Sequence, residues 1–105
     1  LKYIDLQVMK LRIHMNLNKK VIFADTVFAQ EVDGEMVLLD MNSENYFGLD
    51  EVGTAIWQAM QEKETLKEVF EVLLEQYEVE SNVLEKDLLS FVDKLVESGL
   101  VEVEA

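Results

Sequence analysis

Thr26-Val27-Phe28-Ala29-Gln30-Glu31-Val32, then Asp33-Gly34, then Glu35-Met36-Val37-Leu38-Leu39-Asp40-Met41, is the stretch that decides how this chain folds. Two runs of β-branched, aromatic and aliphatic residues flank an Asp-Gly pair. That pair is favoured in two-residue hairpin turns because both of its positions tolerate positive φ. The spacing predicts a hairpin of strands 26–32 and 35–41. A polar break at Asn42-Ser43-Glu44 leads into Asn45-Tyr46-Phe47-Gly48-Leu49, whose aromatics favour a short third strand. The three runs read as a meander.

Beyond this sheet the apolar residues recur at helical spacing. Asp50 is placed to cap a helix from Glu51 to about Glu62, with Val52, Ile56, Ala59 and Met60 on one face and Trp57 at its edge. Thr65 and Glu68 make a capping box that opens a second helix reaching about Tyr77, with Leu66, Val69, Phe70, Leu73 and Leu74 as its apolar stripe. A third and longest helix starts at Ser81 or Asn82, buries Leu84, Leu88, Phe91, Val92, Leu95 and Val96, and stops at Gly99. The tail Leu100-Val101-Glu102-Val103-Glu104 alternates apolar with acidic and reads as a short closing strand, a wing. The predicted fold class is α+β: a three-stranded antiparallel β-meander packed on a three-helix winged-helix-like bundle.

The composition narrows the function. A chain of 105 residues, half of them hydrophobic, is the size of one domain with one core. With no cysteine there is no disulfide, thiolate nucleophile or cysteine-held zinc, and a reducing cytoplasm is the expected home. No apolar run approaches the roughly 20 residues that cross a bilayer. The formal net charge is −13, from 22 acidic and 9 basic residues, and it is unevenly placed. Residues 1–20 hold Lys2, Lys10, Arg12, Lys19 and Lys20 against Asp5, a net +4, which leaves −17 on the remainder. Nucleic acid is held largely by neutralising phosphate, so so acidic a body repels it, whereas a basic peptide is attracted. Acidity that serves only solubility is the plainer reading.

Catalytic groups are scarce. His14 is the single histidine, so neither a Ser-His-Asp triad nor a histidine-rich metal site can be assembled. Glu64, Glu68, Glu71 and Glu75 follow a helical period and read as a solvated face, and the four glycines form no phosphate-cradling loop. The expectation is a protein that is not an enzyme and needs no cofactor or metal.

Residues 1–20 read as a basic N-terminal extension to a domain at 21–105. The chain opens on Leu rather than Met, and Met15-Asn16 offers a second start. Residues 1–14 are therefore an upstream artefact or tag, a genuine extra strand, or a peptide ligand fused to the domain.

Read in order, Val37-Leu38-Leu39-Asp40, Asn45-Tyr46-Phe47-Gly48-Leu49-Asp50, Gly53-Thr54-Ala55-Ile56-Trp57, Glu75-Gln76-Tyr77, and Asp87-Leu88-Leu89-Ser90-Phe91-Val92 with Ser98-Gly99-Leu100 resemble the PqqD-like family over about residues 24–103. These are the recognition elements for ribosomally made, later modified peptides. The resemblance implies a non-catalytic peptide chaperone that binds the leader of a precursor peptide and presents it to a modifying enzyme, such as a radical S-adenosylmethionine enzyme or a leader protease. The leader adds as a strand to the third strand, here Asn45, Tyr46, Phe47, Gly48 and Leu49, and lies against the third helix, here Leu84, Asp87, Leu88, Phe91 and Lys94. Members serving pyrroloquinoline quinone biosynthesis carry a proline-containing stretch near the second and third strands, and this chain has no proline. Its pieces look closer to the members attached to lasso peptides and other modified peptides.

Physics allows such a site, because the last strand of a meander leaves a row of N–H and C=O groups free for an extended peptide. Leu88 and Phe91 are also ordinary core residues by pattern, and Asp87 is either a partner for a basic leader side chain or a solvated carboxylate. Two rival functions share the predicted fold. A winged-helix DNA-binding regulator needs a basic third helix, yet Lys86 and Lys94 stand there against Glu85, Asp87, Asp93 and Glu97. A strand-swapped homodimer would use the same open edge for structure alone.

Overall fold

A computed structural model describes residues 2–4, by their backbone, and 16–104. The elements in chain order are β1 (Lys2–Ile4), β2 (Lys20–Phe23), β3 (Val27–Val32), β4 (Glu35–Asp40), β5 (Asn45–Leu49), α1 (Glu51–Glu62), α2 (Leu66–Gln76), α3 (Ser81–Glu97) and β6 (Val101–Glu104).

The hairpin forms where Asp33-Gly34 places it. Asp33 at φ 53° and Gly34 at φ 83° both take the left-handed region, and this turn matches the natural twist of the strands it joins. β3, β4 and β5 make the antiparallel meander, with Leu38 opposite both Ala29 and Phe47. Alternation then sorts the side chains. Met36, Leu38, Phe47 and Leu49 point into the core, while Phe28 and Tyr46, at 62% and 52% exposure, lie on the outer face in one cross-strand row with Leu39.

The helices begin and end as their sequence signals require. Asp50 Oδ1 accepts from the Gly53 N–H at 2.8 Å to open α1, and Thr65 and Glu68 form both halves of the capping box of α2. α3 starts at Ser81, yet neither Ser81 nor Asn82 caps it. Glu80 holds the cap position and makes no side-chain capping bond. At the other end Gly99, at φ 75°, closes the helix: its N–H donates to Val96 O and that of Leu100 to Leu95 O, both at 3.0 Å. Leu95 and Leu100, both fully buried, meet across this turn as its geometry favours.

β6 is the predicted wing strand, and its antiparallel partner is β2, Lys20 to Glu104 and Phe23 to Val101. β2 went unrecognised in the sequence. It is four residues long and pairs with chain some eighty positions away. Phe23 meets Trp57 edge to face at 4.8 Å. Residues before it are also docked, since Leu66 N donates to Lys19 O and Lys67 N to Leu17 O. Trp57, Phe91 and ten aliphatic side chains fully shielded from solvent fill the space between sheet and helices.

The third strand of the meander is not the edge of its sheet. β1 pairs with it in parallel, giving the order β1-β5-β4-β3. Lys2–Ile4 pair as a strand, a placement shared by the extra-strand and fused-peptide readings of residues 1–14. Residues 5–14, His14 included, lie outside the described residues, as does Met15.

Candidate functional site

β5, and α3 across the strand that pairs with it, frame the site. Within β5, Phe47, Gly48 and Leu49 are buried, Asn45 is half-buried and Tyr46 is exposed. Tyr46 and Phe47 thus take opposite faces, as a strand demands. Backbone pairing runs Lys2 to Phe47, Tyr3 to Gly48 and Ile4 to Leu49, and β1 lies against α3 as well as β5. The outer side of β5 therefore carries an extended segment.

On α3 the predicted residues divide. Phe91 is fully buried, and a Cβ placed on Gly53 would stand 3.3 Å from Phe91 Cε1. That close approach seats the first turn of α1 on α3, so Phe91 serves the core. Leu84, Asp87 and Leu88 line an apolar cleft of about 220 Å³ together with Val52, Ile56, Leu73, Tyr77 and Val79. The cleft lies among the three helices, and no β5 residue lines it. Val52, Tyr77 and Val79, half-buried at its margin, are the residues sequence reading missed. Their signal was Tyr77-x-Val79 between two helices, an apolar pair where a polar connection is usual. Asp87 is the one charged group in this lining, and Lys94 is half-buried one turn before the end of α3.

Two further buried polar atoms have no hydrogen-bond partner among the described residues: Oδ2 of Asp93, a residue at 1% exposure on α3, and Nε1 of Trp57 on α1. Helical spacing sets Asp93 one turn from Leu89, on the side of α3 away from the Leu84–Leu88–Leu95 stripe.

What holds β5 at its place is a hydroxyl. Thr54, buried on α1, accepts from the Met36 N–H at 2.8 Å and donates to Leu49 O at 3.3 Å. Met36 and Leu49 would be the next rung after Val37 and Gly48, so Thr54 stands in for a missing ladder bond and locks the C-terminal end of β5 to the helix. The other end is held by Asp40. Its carboxylate accepts from Ser43 Oγ at 2.9 Å, Thr26 Oγ1 at 3.0 Å and Asn42 N at 3.1 Å. The Ser43 hydroxyl foremost, then the Asn42 and Thr26 donors, hold this carboxyl below the usual aspartate range against the opposing effect of its burial.

Among the described residues no three His, Cys, Asp or Glu side chains converge as a metal would require, and no helix is long and apolar enough to cross a membrane.

A meander with a helix behind its last strand, closed by a wing of sequence-distant strands, defines a small α+β module of winged-helix-like build. The chain belongs to the PqqD family, described as coenzyme PQQ synthesis protein D, whose model matches residues 35–101. No curated protein matches it. Among solved structures it is similar to TbiB1 in complex with the TbiA(beta) leader peptide, with TM-score 0.76 and 33% identity over 80% of this chain and 98% of that one. It is also similar to a lasso peptide synthetase B1 complexed with the leader peptide, with TM-score 0.73 and 28% identity over 79% of this chain and 98% of that one.

Proposed function

We propose that this protein is a non-catalytic peptide chaperone: it captures the leader of a ribosomally made precursor by strand addition at β5 and hands it to a modifying enzyme. The observation that carries this reading is β5 itself. Its outer side accepts an extended segment through backbone pairing at Phe47, Gly48 and Leu49, and that segment also touches α3. Main-chain bonds of this kind supply affinity for many sequences, and selectivity then comes from pockets beside alternate side chains. The apolar cleft at Leu84, Asp87 and Leu88 fits an anchoring side chain, and Asp87 at its wall favours one that carries a donor or a positive charge.

Both similar solved structures are leader-peptide complexes, which supports a leader as the ligand. A lasso-peptide leader accords with the absence of proline. The partner that receives the precursor is a leader protease or a radical S-adenosylmethionine enzyme. The net charge of −13 favours faster capture of a basic leader, with an on-rate that falls as salt rises.

Titration of isotopically labelled protein with the TbiA(beta) leader, and with leaders encoded beside this gene, tests the reading. Amide shifts are expected at 45–49 and along 84–95. A leader encoded alongside that leaves these amides unmoved at saturating concentration overturns it.

A further inference from the structure

We infer that the chain's own first strand is a tethered occupant of the peptide site, so that an incoming peptide binds by displacing residues 2–4. The geometry of this inference is independent of the leader reading, and its functional consequence rests on that reading. β1 pairs with β5 at Phe47, Gly48 and Leu49 and touches α3, which are the two surfaces assigned to the ligand. One edge of one strand cannot hold two partners.

Three features favour occupation from within. Twelve peptide units separate Ile4 from Asn16, a reach of about 40 Å at full extension, and the molecule measures 36 × 32 × 25 Å. The span is therefore covered without leaving the molecule. A tether of this order presents its strand at an effective concentration on the order of millimolar. Charge also favours docking, since residues 1–20 carry a net +4 and the remainder −17. Finally, an open strand edge invites pairing with other chains, and β1 covers it.

Among the described residues three pairs join β1 to β5, a short ladder. A leader with more contacts replaces it, whereas a weak peptide does not. The apparent affinity for any ligand is lowered by the fraction of molecules left open. The strand therefore acts as a threshold on what the site accepts.

The full-length chain with Tyr3→Pro and Ile4→Pro tests this. Alternate N–H groups of a strand face one side, so two adjacent prolines remove whichever one faces β5. The probes are a synthetic peptide with the sequence of residues 1–14 and the TbiA(beta) leader. In the unaltered protein, the β5 amides that face β1 are expected to be protected from hydrogen exchange independently of protein concentration, and the 1–14 peptide is not bound. In the variant that protection is lost while the β3–β4 ladder keeps its own, the 1–14 peptide binds, and any leader that binds does so roughly tenfold more tightly. Equal protection in both proteins with no peptide bound by the variant overturns the inference. So do fast exchange of those amides in the unaltered protein, which needs no variant to measure, and protection that grows with concentration, which would place β1 on a second copy. A variant that takes the 1–14 peptide and no leader upholds the tethered strand and refutes the leader reading.

Discussion

At the scale of single residues, two polar side chains hold the ends of the site's strand. Thr54 connects Met36 N to Leu49 O through its hydroxyl, so Thr54→Val leaves a buried N–H without an acceptor. A loss of about 1–3 kcal/mol in unfolding free energy is expected by chemical denaturation, with faster hydrogen exchange at Leu49 and Met36 than elsewhere in the sheet. Asp40 gives a pH-dependent contribution. Its carboxyl is held below the usual range by Ser43, Asn42 and Thr26, so the folded state favours the ionised form. That stability is fully present above the unfolded-state pKa and is lost as pH falls through the lower folded value, a window below about pH 4. Asp40→Asn is expected to be less stable than the parent at neutral pH, with the difference closing as acid is added. A constant difference from pH 7 to pH 2 would remove Asp40 from this account. Neither residue was legible as a determinant in the sequence. Thr54 sat unremarked inside Gly53-Thr54-Ala55-Ile56-Trp57 and Asp40 at a strand end, because a side chain's hydrogen-bond partners are set by tertiary placement and not by spacing.

At the scale of elements, local chemistry was a faithful guide wherever the signal was contained in a few neighbouring residues. The Asp33-Gly34 turn, the Asp50 cap, the Thr65–Glu68 box and the Gly99 stop all stand where they were read. α3 is the informative exception. Its start at Ser81 was anticipated, yet the cap position belongs to Glu80, whose longer side chain makes no capping bond. Glu80→Asp is therefore expected to stabilise the protein by about 0.5–1 kcal/mol, read as a rise of a few degrees in Tm. No rise would show that the first turn of α3 is satisfied by other means. β2, which the sequence reading missed, and β6, which it placed, are short and pair with each other. Their identity depends on contact between opposite ends of the domain, for which a window of local sequence holds no information. The site divides in the same way: β5 was legible from its aromatics, while the cleft needed Val52, Tyr77 and Val79 brought to Leu84, Asp87 and Leu88 from three different segments.

At the scale of the whole molecule, the acidic charge and the β5 edge are separable properties. Under the proposed function, charge would set how quickly a basic leader arrives and the strand edge whether it stays. The wing has a consequence of another kind. Lys20 and Glu104 are directly paired across β2 and β6, so the folded unit is entered and left through a single doorway on its surface. Elements from β2 to β6 complete the core between those two points. A polypeptide that enters at one and exits at the other can be spliced into a surface loop of a larger protein without prising that loop apart. The module is thus shaped as a cassette, equally suited to standing alone or to being built into a larger chain.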